Sequence, residues 1–543
     1  MSVQLPPVRT ATGPPPVVPP EAPAPRLDWF ELGLLALFGA MSMWDVALDV
    51  VHAVSNGLAW TGTDGWYIVD QMQYLSWIQS AAHHGLIANL FVLHPTPASY
   101  FQPAILISGG LVALGLPSWL ALLLWKPVAV VAIFMAVRAV AYRMLSGRFE
   151  RRAAITLGVG FASFSVIFGS LGVVGDMMFG WLSWGYPFAP LAVALIVFGL
   201  LRYDRARAAG RLDWSAGLLG AVASLLHPWQ GETMILLILA AELVRWRELA
   251  LWWETRRWQR LGLPALTLAL VGLPLLYYLI LGHADPSWTM ARQQSKHTFP
   301  WTAIAIGAAP LAVVAALGYR GRAGSYTELV MRVWPAVAVV IYIFSRTGLS
   351  ATPLHAMDGI TIPLAVLAVK GVSHSRLRTI PHAGLVAGAL IVLAVIPANA
   401  YTMAVAHEAV DPTPGNANFI TTNEHAALRY LAHDPRPGGV LSQFYLGEAV
   451  PGATGRRTFV GNCMWSEPNC MPRSENADAL FRGQMPVAQA RRFVATSGAR
   501  FLLASCSTPN VNLQQRLGAD LIVSARRFGC ATVYEVASPP ARS

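Results

Sequence analysis

Residues Trp60–Pro103 read WTGTDGWYIVDQMQYLSWIQSAAHHGLIANLFVLHPTPASYFQP. This stretch carries Asp64, Asp70 and a helix-like run, DQMQYLSWIQSAAHHG, between long apolar segments that read as membrane spans. A loop so acidic and aromatic, directly after a first span, is more than bilayer anchoring requires. It reads as a reactive loop, and the rest of the chain as its scaffold.

The chain of 543 residues is 55% hydrophobic and 12% charged, with mean hydropathy +0.48. Soluble domains carry about 25% charged residues, so this composition belongs to a membrane protein. The net charge of +11 could suggest nucleic acid, but the basic residues sit in short loops between apolar segments. Examples are Arg143/Arg148/Arg151/Arg152, Arg202/Arg205/Arg207/Arg211, Arg245/Arg247/Arg256/Arg257/Arg260, Arg320/Arg322 and Lys370/Arg376/Arg378. Such loops mark the cytoplasmic side of a multi-pass protein. The charge encodes topology, and no nucleic-acid partner is expected.

Residues 1–26 are Pro- and Ala-rich and predict a disordered cytoplasmic tail. The first span is expected near 29–45, with Asp45 and Asp49 at its outer boundary, followed by an outer loop over 46–117. Within that loop Pro103–Gly115 is apolar but short, a half-buried or re-entrant helix. Further spans are expected near 118–142, 154–172, 187–201, 214–226, 230–245, 263–282, 301–318, 333–345, 358–370 and 383–402, eleven in all. With the N-terminus inside, every basic loop falls in the cytoplasm and the chain beyond 402 falls outside.

That C-terminal part, 403–543, reads as a small α/β domain. NEHAALRYLAHD, with Asn423 as its cap, and PVAQARRFVATSG predict helices; GGVLSQF, RRTFVG, ARFLLAS, ADLIVSA and ATVYEV predict strands. All four cysteines, Cys463, Cys470, Cys506 and Cys530, lie here. Cysteines confined to the outer part point to disulfides in an oxidising compartment. Three pairings are open, with the local pairs Cys463–Cys470 and Cys506–Cys530 expected. The absence of CxxC pairs argues against zinc.

Asp70 and Tyr74 share one helical face, and Asp64 lies upstream in a Gly-flanked turn. A hydroxyl attacking a sugar anomeric carbon needs a carboxylate base within hydrogen-bond reach; an interfacial aspartate can equally cap a helix. Asp176, alone in GVVGDMMFGWLSWGYP, is a second candidate acid or metal ligand, or again a cap. Lys126 interrupts ALLLWKPVAV and could meet a lipid phosphate or snorkel to the headgroups. His227 and Glu232 break an apolar run in LLHPWQGE, either lining a cavity or closing a helical hairpin. Arg346, outside against the charge bias, suits a phosphate, with His355 and Asp358 nearby. His83, His84 and His94 are too scattered to make a metal site. No Walker loop, GxGxxG, HExxH or GxSxG motif is present.

The layout resembles the GT-C superfamily of membrane glycosyltransferases, which includes protein O-mannosyltransferases, aminoarabinose lipid A transferases and oligosaccharyltransferase catalytic subunits. The matching features are a first span followed by the Asp70-x-x-x-Tyr74 helix, a short apolar segment ending in ALGLPSW, arginine-rich inner loops and a C-terminal domain containing EAVPGATGRRTFVGNCMW. Many members carry Asp-Glu where this chain has Asp70-Gln71. The resemblance implies transfer, generally with inversion, from a polyprenyl-phosphate sugar to a cell-envelope glycan, lipid or protein. It implies Asp70 as the base, Asp176 as the supporting acid and Arg346 as the donor-phosphate ligand. Asp64, Tyr74, Lys126, His227, Glu232 and His355 would complete the substrate site. If a divalent metal ion is used, Asp70 and Asp176 are its expected ligands. The expected setting is a bacterial plasma membrane. A transporter or flippase for lipid-linked sugars is the rival reading, but no internal repeat supports it; a non-catalytic scaffold would leave Asp64 and Asp70 unexplained.

Overall fold

The computed structural model describes residues 26–64, 68–162, 177–179, 187–245, 259–294, 301–346, 355, 357–410, 412–413, 415–466, 468–508 and 511–537. The first described helix starts at a capping box. The Asp28 side chain accepts from the Glu31 amide at 3.0 Å, while the Glu31 carboxylate accepts from the Asp28 amide at 3.2 Å. These bonds start α1 (Trp29–Ser42), which breaks at Met43 and continues, bent by 42°, as α2 (Trp44–Ser55). The first apolar segment is thus a bent pair longer than the expected span. Asp45 and Asp49 are both buried on α2.

Strand β1 (Leu58–Trp60) follows, then α3 (Ile68–His84), α4 (Pro103–Ala113), α5 (Ser118–Leu123), α6 (Trp125–Met144) and α7 (Arg148–Gly160). Next come α8 (Phe188–Ala209), α9 (Trp214–Leu226), α10 (Pro228–Val244), α11 (Gln259–Ala284), α12 (Pro286–Gln294), α13 (Trp301–Ala315), α14 (Tyr326–Arg346), α15 (Thr361–Ser373) and α16 (Ala383–Ala409). Among the described residues, five stretches are helical, long and apolar enough to cross a membrane: Ser118–Met144, Leu261–Ala284, Trp301–Tyr319, Tyr326–Ser345 and Ala383–His407. The bent α1–α2 pair makes a sixth. Helices α4, α9 and α15 are apolar but shorter than a bilayer crossing.

Several basic residues, among them Arg143, Arg207 and Lys370 of the expected loops, are paired. Arg138 meets Glu31 at 3.1 Å with both side chains buried, and the Tyr142 hydroxyl donates to the same carboxylate at 2.8 Å. Arg143 meets Asp204 at 3.1 Å, Arg207 meets Glu242 at 2.8 Å, and Lys370 and Arg332 each meet Glu328 at 2.6 Å. A buried charge needs a partner, and all of these pairs except Arg332–Glu328, which lies within α14, join different helices.

Beyond α16 the chain forms β2 (Phe419–Thr421), α17 (Thr422–His433), β3 (Val440–Ser442), α18 (Phe444–Thr454), α19 (Cys470–Phe481), α20 (Val487–Ser497), β4 (Phe501–Ala504), α21 (Leu513–Leu517), β5 (Ile522–Phe528) and β6 (Ala531–Val536). The sheet order is β3-β4-β6-β5; β3 and β4 are parallel and the other neighbours antiparallel. Helix α17 is capped by Thr421, in a capping box with Glu424, and not by Asn423, whose amide donates to Cys530 Sγ at 3.3 Å. RRTFVG is not a strand: Thr458 alone bridges Val440. Cysteines 463 and 470 are bonded, as are 506 and 530.

Strand β2 pairs antiparallel with β1, Trp60 opposite Phe419, so the C-terminal region is stitched to the acidic loop. One apolar core runs through both parts, from Trp77 and Ile78 of α3 to Leu446 and Val450 of α18 and Phe501 of β4.

Candidate functional site

Asp70 lies in the first turn of α3, where the helix's unpaired amides favour a carboxylate. With Ile68 and Val69 it forms one wall of a cleft of about 410 Å3. Gly415, Asn416 and Ala417, leading into β2, and Phe444, Tyr445 and Glu448 of α18 form the rest. Membrane-loop helix and C-terminal region thus each supply a carboxyl group to one cavity. Glu448 is buried, and burial raises its pKa from 4.5 to about 8. At neutral pH it is a proton-bearing hydrogen-bond donor in the cleft that Asp70 also lines. Glu448 carries no local signal in the sequence, because its helix is not expected there and the opposite wall of the cleft is remote in sequence.

Asp64 is differently placed. It is buried and ion-paired with Lys126, which is also buried at the start of α6. The Lys126 ammonium also donates to the Ser42 carbonyl at 2.7 Å, at the break between α1 and α2. Burial raises the Asp64 pKa to about 6, against the opposing pull of Lys126. The Gln71 amide donates to the Asp64 carbonyl at 2.6 Å. A glutamate at 71, ionised, could not donate there, which gives the Asp70-Gln71 pair a local reason. Asn418 then ties the loop to α2: its amide donates to Asp49 at 2.6 Å and its carbonyl accepts from the Thr63 hydroxyl. Asp49 and Asn418 are further polar residues that sequence reasoning did not select.

A third group gathers where α9 meets α10. His227 stands before Pro228 at the start of α10, with its Nδ1 3.6 Å from Asp358 Oδ2. His355 Nδ1 is 3.9 Å from the same oxygen, and the two imidazoles meet edge-on with centroids 4.7 Å apart. The Trp229 ring lies 4.7 Å from His227 and 4.2 Å from His355. The Gln230 amide donates to Asp358 Oδ2 at 3.1 Å.

The structure therefore brings Asp64 to Lys126, and His227 to His355. Tyr74 packs with Trp77 and with Phe188 of α8, ring centroids 5.6 and 5.2 Å apart, on the apolar side of α3. Glu232 sits half-buried one turn into α10. Asp176 and the Arg346 side chain lie outside the described residues.

No family model matches the chain, and no curated relative does. Solved structures do. The apo oligosaccharyltransferase of Archaeoglobus fulgidus superposes with a TM-score of 0.51 at 13% identity, over 88% of this chain and 70% of that one. The ArnT of Cupriavidus metallidurans bound to undecaprenyl phosphate gives 0.49 at 13% identity, over 92% and 98%. The chain thus shares the fold of that oligosaccharyltransferase, one of the kinds of enzyme that the sequence resembles.

Proposed function

We propose that this chain is a membrane glycosyltransferase that moves a sugar from a polyprenyl-phosphate donor to a cell-envelope acceptor. The observation that carries the reading is the cleft: on a GT-C fold, Asp70 lines a cavity at the mouth of α3, whereas Asp64 is buried against Lys126. Asp70 is the group placed to meet an acceptor. It accepts the acceptor's hydroxyl proton as the new oxygen–C1 bond forms on the face opposite the leaving group. The C1–O bond to phosphate breaks, polyprenyl phosphate leaves with the electron pair, and the anomeric centre inverts. Protonated Glu448 donates a hydrogen bond to a substrate oxygen in the same cleft.

Arg346 is assigned to the donor phosphate, and Asp176 to the supporting acid or, with Asp70, a divalent metal ion. Tyr74, Lys126, His227, Glu232 and His355 are assigned to the walls of the substrate site. In the proposed topology residues 1–26 are a cytoplasmic tail, 27–402 cross the membrane eleven times and 403–543 face outward. The paired cysteines support that outward face, since disulfides persist in oxidising compartments.

The test is transfer by the purified chain from a panel of short-chain polyprenyl-phosphate sugars, wild type beside Asp70→Asn. Wild type is expected to release sugar from one donor, and Asp70→Asn to lose at least about 100-fold, the scale of general-base catalysis, with an unchanged melting profile. Near-normal turnover in Asp70→Asn would reject the base. Lipid binding without turnover by wild type would favour the transporter.

A further inference from the structure

We infer that His227, His355 and Asp358, none of which lines the Asp70 cleft, form a binding site for a borderline transition-metal ion of the zinc class. One ligand atom from each residue lies within 4.8 Å of the other two. The Nδ1–Oδ2 separations of 3.6 and 3.9 Å approach the edge of about 3.4 Å spanned by ligands around a tetrahedral ion with bonds of about 2.1 Å. The site is largely shielded from solvent. Asp358 is 5% exposed and His227 12%, and the buried His227 Nδ1 and Gln230 Oε1 have no hydrogen bond among the described residues.

The surroundings fit metal ligation further. Gln230 holds the Asp358 carboxylate at 3.1 Å and reaches the His355 carbonyl at 3.4 Å, the kind of outer contact that orients a ligating group. Pro228 follows His227 directly and begins α10, so the imidazole is fixed to a helix start. Asp358 and His355 lie just before α15. An ion here would join the start of α10 to the approach to α15, elements more than a hundred residues apart. Two imidazoles and one carboxylate select zinc or cobalt over magnesium or calcium, which prefer all-oxygen shells. Three protein ligands leave one position open, as in sites that bind a water or an oxyanion.

The experiment uses the full chain in detergent, stripped by chelator and titrated with Zn2+ against a chromophoric competitor. Wild type is expected to take one equivalent. His227→Ala, His355→Ala and Asp358→Asn should each lose affinity at least tenfold, while the exposed pair changed in His83→Ala/His84→Ala should not. Gln230→Ala, which removes no ligand, should weaken binding about 10- to 100-fold and serves if a ligand variant fails to fold. Cobalt should give a visible ligand-field spectrum in wild type that Asp358→Asn loses, and excess Mg2+ should not displace it. Absence of an equivalent in wild type, or its loss with His83/His84 while His227→Ala retains it, would overturn the site.

Discussion

At the residue scale, Glu448 is the group whose environment makes the sharpest demand. An unfolded chain would titrate it near 4.5, whereas burial holds it protonated in the fold to about 8. Between these values the native state binds a proton that the unfolded state does not, so stability falls as pH rises through that window and levels off above it. The slope approaches roughly 1.4 kcal/mol per pH unit. Glu448→Gln keeps the shape and removes the charge. Its melting temperature should match wild type near pH 5 and exceed it increasingly towards pH 8, and superimposable curves for the two proteins would refute the shift. The same residue scale explains what the sequence conceals. Asp64 and Asp70 stand out equally in TGTDGWYIVDQ, yet one is buried against Lys126 and the other opens on a cleft. Which of two neighbouring acids is accessible depends on what packs over them, and the covering residues lie in α6 and α18.

At the scale of elements, legibility followed local signal. Helix α3 and strands β4 and β6 fall where their patterns put them, because amphipathic period and β-branched runs act over a few residues. Helix α18 was not legible: FYLGEAVPGAT carries Gly447, Pro451 and Gly452, poor helix residues that are held by packing. Each of these glycines makes a close approach, a Cβ on Gly447 falling 1.8 Å from the Val460 carbonyl oxygen. Tertiary contact outweighs propensity there. The cysteine pairs were legible because each is local. They belong to different elements: Cys463–Cys470 closes a turn before α19, and Cys506–Cys530 ties the end of β4 to the β5–β6 turn. Loop-closure entropy scales with the 24-residue and 7-residue separations, giving about 3 and about 2 kcal/mol of stabilisation. Alkylation of protein from its native membrane should find all four thiols protected until reductant is added. The Cys506→Ser/Cys530→Ser pair should then destabilise the C-terminal region more than Cys463→Ser/Cys470→Ser. Free thiols in the unreduced protein would contradict both bonds.

At the scale of the whole molecule, the C-terminal region lines the cleft because it is packed into the loop that bears Asp70. Gln79 and Ser118 both donate to the Gly452 carbonyl, at 3.2 and 3.1 Å. The Arg457 guanidinium donates to the Asn89 carbonyl at 2.6 Å, and Asn89 in turn donates to the Trp465 carbonyl at 2.9 Å. The Trp465 indole donates to Gln73 on the same helix as Asp70. Helix α18 approaches α3 closely at Gly452, where an added Cβ would stand 2.7 Å from Leu75 Cβ. Neither side can yield cheaply, since Leu75 is buried in the shared core and Gly452 is buried in the last turn of α18. Overpacking of that kind costs about 1–3 kcal/mol, and relief requires α18 to move off α3. Because α18 also carries Glu448 and Phe444, that movement would widen the cleft beside Asp70. Gly452→Val is therefore expected to lower both the melting temperature and transfer, while Gly498→Ala, at an exposed helix end with no neighbour within 4 Å, should lower stability through its positive φ and leave turnover per folded molecule intact. Equal turnover per folded molecule in Gly452→Val would show that the cleft tolerates a displaced α18, and that the C-terminal region serves stability alone.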